Sequence, residues 1–198
     1  MSRPFYFATI VIDPKDPKRV YRPALSFSYA SDGGYSFADA SNEGGWVHSD
    51  HHALWINPNN TNQLYLGTDG GVYISLDRGA TWNFVQSLPV GQFYHASVDD
   101  RKPYNIYGGL QDNGSWIGPS AAAGGVSNGM WKPINGGDGF WVQPDPSDIY
   151  TAYAESQGGN INRINLVNTK AVNIKPQQAP GEEKLRWNWN TPIVFGAA

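Results

Sequence analysis

The chain has 198 residues, enough for one or two domains with a sizeable core, and its 23 glycines, 14 prolines and many aromatic residues favour short strands and tight turns over helices. A net charge of −3 with only 14 Lys plus Arg leaves no basic stripe, which argues against a nucleic-acid partner. There is no cysteine for a disulfide or thiolate site, no apolar run near the roughly 18 residues of a spanning helix, and no signal-peptide pattern in this segment.

In chain order, four stretches repeat one pattern: a short apolar run, an Asp or Asn, a polar turn, then a tyrosine. The turn residues are Asp13, Asn57, Asp99 and Asp145, and in every copy a tyrosine follows eight positions later, at Tyr21, Tyr65, Tyr107 and Tyr153. A period of about 44 residues built from short alternating runs is that of a four-stranded propeller blade, and the i, i+3, i+4 spacing of helical repeats is missing. The predicted blades cover approximately residues 5–46, 47–91, 92–138 and 139–187, with the start of a fifth repeat at 188–198. In the second unit strand A is "HALWIN", strand B "NQLYLGT", strand C "GVYISL" and strand D "TWNFVQ". The expected fold is all-β, a single partial β-propeller of four-stranded antiparallel blades, about four of them present. It would belong to a larger ring of six to eight blades or to a tandem propeller, whose remaining blades would be its partners.

Ser75, Asp77, Gly79, Thr81 and Trp82 spell Ser-x-Asp-x-Gly-x-Thr-Trp, and a weaker copy earlier in the chain holds Asp32, Gly34, Ser36 and Phe37. The third unit departs from the pattern with "VSNGMW", and the fourth, around "INLVNTK", lacks it. The motif resembles the Asp-box of BNR-type repeats, found in sialidases, in xyloglucan-cleaving twin propellers and in sortilin-type receptors. The stretches "HHALWINP", "GTDGGVYIS" and "GGLQDNGSW" look similar to bacterial sortilin-type or glycosyl-hydrolase-like BNR-repeat proteins. The resemblance implies an extracytoplasmic setting, periplasmic or secreted, in a bacterium. Asx-turn chemistry alone accounts for Asp32 and Asp77 as structural residues.

Antiparallel blades put the A–B and C–D turns at one end and the B–C turns and D–A links at the other. Sorted this way, the polar clusters gather at the second end. They are His48, Asp50, His51 and His52; Asp69; Gln92, Tyr94 and His95; and Gln111, Asp112, Asn113 and Trp116. Asp138 and Trp141, Glu155 and Gln157, and Asn188 and Trp189 complete the set. Such groups suit hydrogen bonding and stacking against a sugar or peptide. Each has a plainer reading: Asp69, Asp112 and Asp138 are flanked by glycine and suit tight turns, and Trp55 and Trp82 suit the core. Adjacent His51 and His52 point to opposite sides of a strand, so no metal and no cofactor is expected.

Three functions compete. A sialidase needs arginines gripping a carboxylate, but Arg19, Arg78 and Arg101 are expected in A–B or C–D turns, at the wrong end. Another glycoside hydrolase needs two carboxylates about 5 to 5.5 Å apart for retention or 6.5 to 9.5 Å for inversion, with Asp69, Asp112, Asp138 and Glu155 as candidates. A sortilin-like recognition propeller, binding a peptide or glycan without cleaving it, asks least of the sequence and ranks first.

Overall fold

The computed structural model describes residues 5–7, 9–40, 47–88 and 90–196. The expected end of the first repeat, 41–46, and the last two residues of the fifth lie outside that range. The chain is all-β, with four four-stranded antiparallel sheets in the pattern of propeller blades, each ordered as its strands follow in sequence. Two compact units, Met1–Leu88 and Pro89–Ala198, each hold two of these sheets.

In the first unit, blade 1 consists of β1 (Val11–Asp13), β2 (Asp16–Arg22), β3 (Ser28–Ala30) and β4 (Ala38–Asp39). Blade 2 consists of β5 (His51–Ile56), β6 (Leu64–Thr68), β7 (Gly71–Ser75) and β8 (Asn83–Phe84). The period-2 pattern sets the register. Leu64 and Leu66 of β6 are fully buried, while Tyr65 between them is only partly so. The predicted strand D of blade 2 shrinks to two residues, because the turn before it holds Thr81 and Trp82. The core gathers Tyr21, Phe27, Leu64, Leu66, Tyr73 and Trp82. Phe27 is its hub, stacked 5.8 Å from Tyr21 and edge-on to Trp82 at 5.1 Å. Trp55, expected in the core, is instead 53% exposed: its side of β5 faces outward against Tyr65.

In the second unit, blade 3 consists of β9 (Phe93–Val98), β10 (Asn105–Leu110), β11 (Ser115–Pro119) and β12 (Lys132–Asn135), with a one-turn 3-10 helix at Asn128–Met130 before the last strand. Blade 4 consists of β13 (Gly139–Pro144), β14 (Thr151–Ser156), β15 (Asn160–Asn165) and β16 (Ala171–Asn173). Its core joins Tyr107, Ile134 and Val142 to Ala152, Ala154 and Ile164. β10 and β13 approach so closely that a side chain at Gly109 would overlap the Gly139 backbone, which is why small residues fill this contact. Residues 174–196 contain no strand, including the stretch read as opening a fifth blade.

In blades 2, 3 and 4 the repeated pair of turn residue and tyrosine is a hydrogen-bonded lock, whereas in blade 1 the Tyr21 hydroxyl is buried without a hydrogen bond to Asp13. The first side chain caps its own turn, with Asp13, Asn57 and Asp145 each accepting the backbone N–H two residues on, at 2.9, 3.0 and 2.9 Å. The tyrosine arrives opposite on strand B. Tyr107 and Tyr153 donate to Asp99 and Asp145 at 3.0 and 3.2 Å, and in blade 2 Gln63 relays between Asn57 and Tyr65. Burial, then the Asp99 carboxylate, raises the Tyr107 hydroxyl well above the ordinary range.

Candidate functional site

The motif turn at Ser75–Trp82 is closed from within. Asp77 accepts the Thr81 N–H at 2.8 Å, the Thr81 hydroxyl at 2.5 Å and the Ser75 hydroxyl at 2.8 Å, while Ser75 Oγ accepts the Gly79 N–H at 2.8 Å. Asp32 repeats the scheme with the Tyr35 and Ser36 N–H groups and the Ser36 hydroxyl. Gly34 takes a positive φ, and the ring of Phe37 lies under Arg22 at 4.5 Å, only partly buried. These hydrogen bonds hold both carboxyls below the usual carboxylate range, outweighing for Asp77 the opposing effect of burial.

The three arginines lie on the A–B and C–D sides of their own blades. Arg19 sits within β2 rather than in a turn, because pairing of β1 with β2 already begins at Asp13 and Asp16; its side chain reaches Ser31, the Arg78 carbonyl and the Tyr29 ring at 3.6 Å. Arg78 reaches Thr61 and the buried Asp13, and Arg101 reaches Asp99 and the Ile149 carbonyl. Every one of the three is committed to holding turns together.

At the opposite end of the first unit, the link into blade 2 runs between two B–C turns. Asp50, at φ 63°, and His51 donate their backbone N–H groups to Leu25 and Ala24, and Asp69 donates its own to the Asp50 carbonyl. This brings His48, Asp50, His52 and Asp69 together. His52 Nε2 lies 2.8 Å from Asp69 Oδ1, with both side chains partly open to solvent. The His48 N–H donates to the Tyr73 hydroxyl, and its ring lies where a side chain at Gly70 would be. His51, grouped by sequence with the ligand-facing residues, is only 1% exposed; its Nε2 donates to the His48 carbonyl and its ring stands beside Phe27. Burial lowers its pKa and keeps it neutral. No cluster of three metal-ligating side chains occurs among the described residues.

The second unit builds a different cluster. Asp138, 8% exposed, accepts the Asp112 N–H at 2.7 Å on one oxygen and the Gln157 amide at 3.0 Å on the other. Asp112 itself sits at φ 59°, a strained backbone for a non-glycine residue. Gln111 donates its backbone N–H to Gln92, Asn113 donates its amide to Gln111, and Trp116 Nε1 donates to Asn113. Tyr94 packs on Phe140 at 4.6 Å with 38% of its surface open. Burial, then the Asp138 and Asp112 carboxylates, raises its hydroxyl pKa. His95 stacks on Trp141 at 4.0 Å, with the Asn190 amide 3.1 Å from its Nε2. Asn188 accepts the Thr191 hydroxyl, and Trp189, 63% exposed, accepts the Gly158 N–H on its carbonyl.

Glu155, placed by the sequence among the polar clusters at this end and counted there as a candidate carboxylate, turns out to be interior. It is fully buried, and one oxygen accepts the Gly159 N–H at 3.2 Å while the other meets no hydrogen-bond geometry among the described residues, the Thr191 N–H lying nearby. Burial pushes its pKa up to about 7 against the pull of the Gly159 and Thr191 N–H groups. A carboxyl held there has the protonation of a general acid, but its surface is closed to any substrate.

No protein-family model and no curated protein matches the chain. Among solved structures, it is similar to a GH74 enzyme of Niastella koreensis, with 17% identity over 82% of this chain and 28% of that one, and a TM-score of 0.36. A GH74 xyloglucanase of Xanthomonas campestris matches with 14% identity over 85% of this chain and 30% of that one, TM-score 0.35. A structure of YCF48 bound to D1 peptide matches with 12% identity over 79% of this chain and 51% of that one, TM-score 0.30. The chain thus spans less than a third of the length of these two GH74 structures, and likeness at this level carries nothing about activity.

Proposed function

We propose that the chain is a recognition module of sortilin-like propeller blades that binds a glycan or a peptide, in an extracytoplasmic setting, through its B–C turns and D–A links. The observation that carries this is the contrast among polar groups at that end of the second unit. Tyr94 and the His95–Trp141 stack offer rings and hydrogen-bonding edges partly open to solvent, whereas both Asp138 oxygens are already taken and Glu155 is interior. Rings beside amides suit stacking and hydrogen bonding; carboxylates tied to backbone do not suit attack or proton delivery. Glycoside hydrolysis stands second, favoured only by the near-neutral pKa of Glu155.

A glycan and peptide array, run beside a polysaccharide-hydrolysis screen, tests this reading. Binding without product release, weakened at least tenfold by Tyr94→Ala, is expected. Product release that disappears in an Asp69→Asn, Asp112→Asn, Asp138→Asn triple variant would replace recognition with hydrolysis.

A further inference from the structure

After β16 the chain folds back along blade 4, with the Ile174 N–H donating to the Ile161 carbonyl. Lys175 Nζ donates to the Gly158 carbonyl at 2.7 Å and lies 5.1 Å from the centre of the Trp187 ring. That ring occupies the space a side chain at Gly159 would need. Between these groups and Glu183, Lys184 and Arg186 opens a groove of about 730 Å³. Its size falls among ligand sites of roughly 300–1,000 Å³ and exceeds one sugar ring.

Three cations line this groove against a single carboxylate, in a chain whose net charge is −3. Among the described residues none of the three forms an ion pair. Glu182, next in sequence, caps the Ala179 N–H instead. With one carboxylate for three cations, the groove carries a net positive charge that attracts an anion. The Arg186 guanidinium is a planar fork suited to a carboxylate or sulfate, and Trp187 supplies an indole on which the C–H face of a sugar can stack. Leu185 and Trp187 supply the apolar part of the lining, too few for the alternating pockets that grip an extended peptide.

We propose that this groove binds an anionic saccharide, a sugar unit bearing a carboxylate or a sulfate. The assignment rests on the recognition reading above and narrows its ligand class. Titration calorimetry of the whole chain tests it with trigalacturonate, a sulfated disaccharide, cellotriose, a triglutamate peptide and sodium sulfate. Binding of trigalacturonate or the sulfated disaccharide is expected, the stronger of the two naming the anion. It should fall at least tenfold in a Lys184→Gln, Arg186→Gln double variant and with rising salt. Trp187→Ala should weaken the saccharides while leaving sodium sulfate unchanged.

Lys184 and Arg186 are exposed, so the double variant should keep its melting temperature. Equal binding of cellotriose, binding of sulfate or triglutamate in place of saccharide, or no effect of the double variant would each overturn the proposal. Saccharide binding that depends on Tyr94 but not on Arg186 overturns the groove and leaves recognition standing. No binding of any glycan or peptide overturns both.

Discussion

In the unit Met1–Leu88 the two blades meet through rings, with Phe27 between Tyr21 and Trp82 and the neutral His51 beside it. In the unit Pro89–Ala198 the buried contact between blades is made by small residues and polar bonds, Gly109 on Gly139, Ser97 donating to the Val142 carbonyl at 2.6 Å and Asp138 tying Asp112 to Gln157, while its inter-blade ring pairs, Tyr94 on Phe140 and His95 on Trp141, stay partly open to solvent. One strand order thus tolerates two kinds of interior. Ring packing carries no hydrogen bond to lose, whereas a buried carboxylate demands every partner and costs much when one is lost.

The sharpest way to break this contrast is Phe27→Ala. Removing a fully buried ring should cost about 3–5 kcal/mol in urea unfolding, and hydrogen exchange should accelerate in β2, β3 and β6 before β10 and β14. Asp138→Ala is the counterpart in the second unit. It takes away the acceptor of the Asp112 N–H and the Gln157 amide, for about 2–3 kcal/mol, with exchange accelerating at residues 111–114.

Glu155→Gln sharpens the comparison through pH. The folded state keeps the Glu155 proton up to about pH 7, whereas the unfolded chain releases it near 4.5, so between those values the folded state binds more protons. Stability from this group therefore declines as pH rises through that window, and Glu155→Gln removes the decline. Urea midpoints at pH 4.5, 6, 7 and 8 should show the variant gaining on the parent up to about pH 7 and no further. An unchanging gap would refute a buried, titrating Glu155. The smallest effect belongs to the turns: Asp77→Ala should lower the melting temperature more than Asp32→Ala, because only the Asp77 turn seats a buried tryptophan.

Much of the fold was readable because it is written locally. The eight-residue spacing from Asp99 to Tyr107 reports a hairpin, since the two ends must meet across paired strands. The Ser75–Thr81 turn carries its hydrogen-bonding partners within seven residues. Less of the site was legible. His51 and His52 look alike in sequence, but the β5–β6 register shifts between His51 and Ala53, and one histidine enters the core beside Phe27 while the other meets Asp69. Trp55 fits an apolar strand pattern, yet its side of β5 stays open.

The groove at Lys175 and Trp187 left no motif, because its walls come from the B–C turn of blade 4 and a strandless stretch nearly thirty residues later. Sequence by itself determined the blade period, the strand order within each blade and the turns that close it, all of which depend on neighbours in the chain. Tertiary structure alone decided which carboxyls are open, which rings are buried and where Lys175, Lys184 and Arg186 come to line one groove. Those outcomes depend on desolvation and on contacts between segments far apart in sequence, which no local pattern encodes.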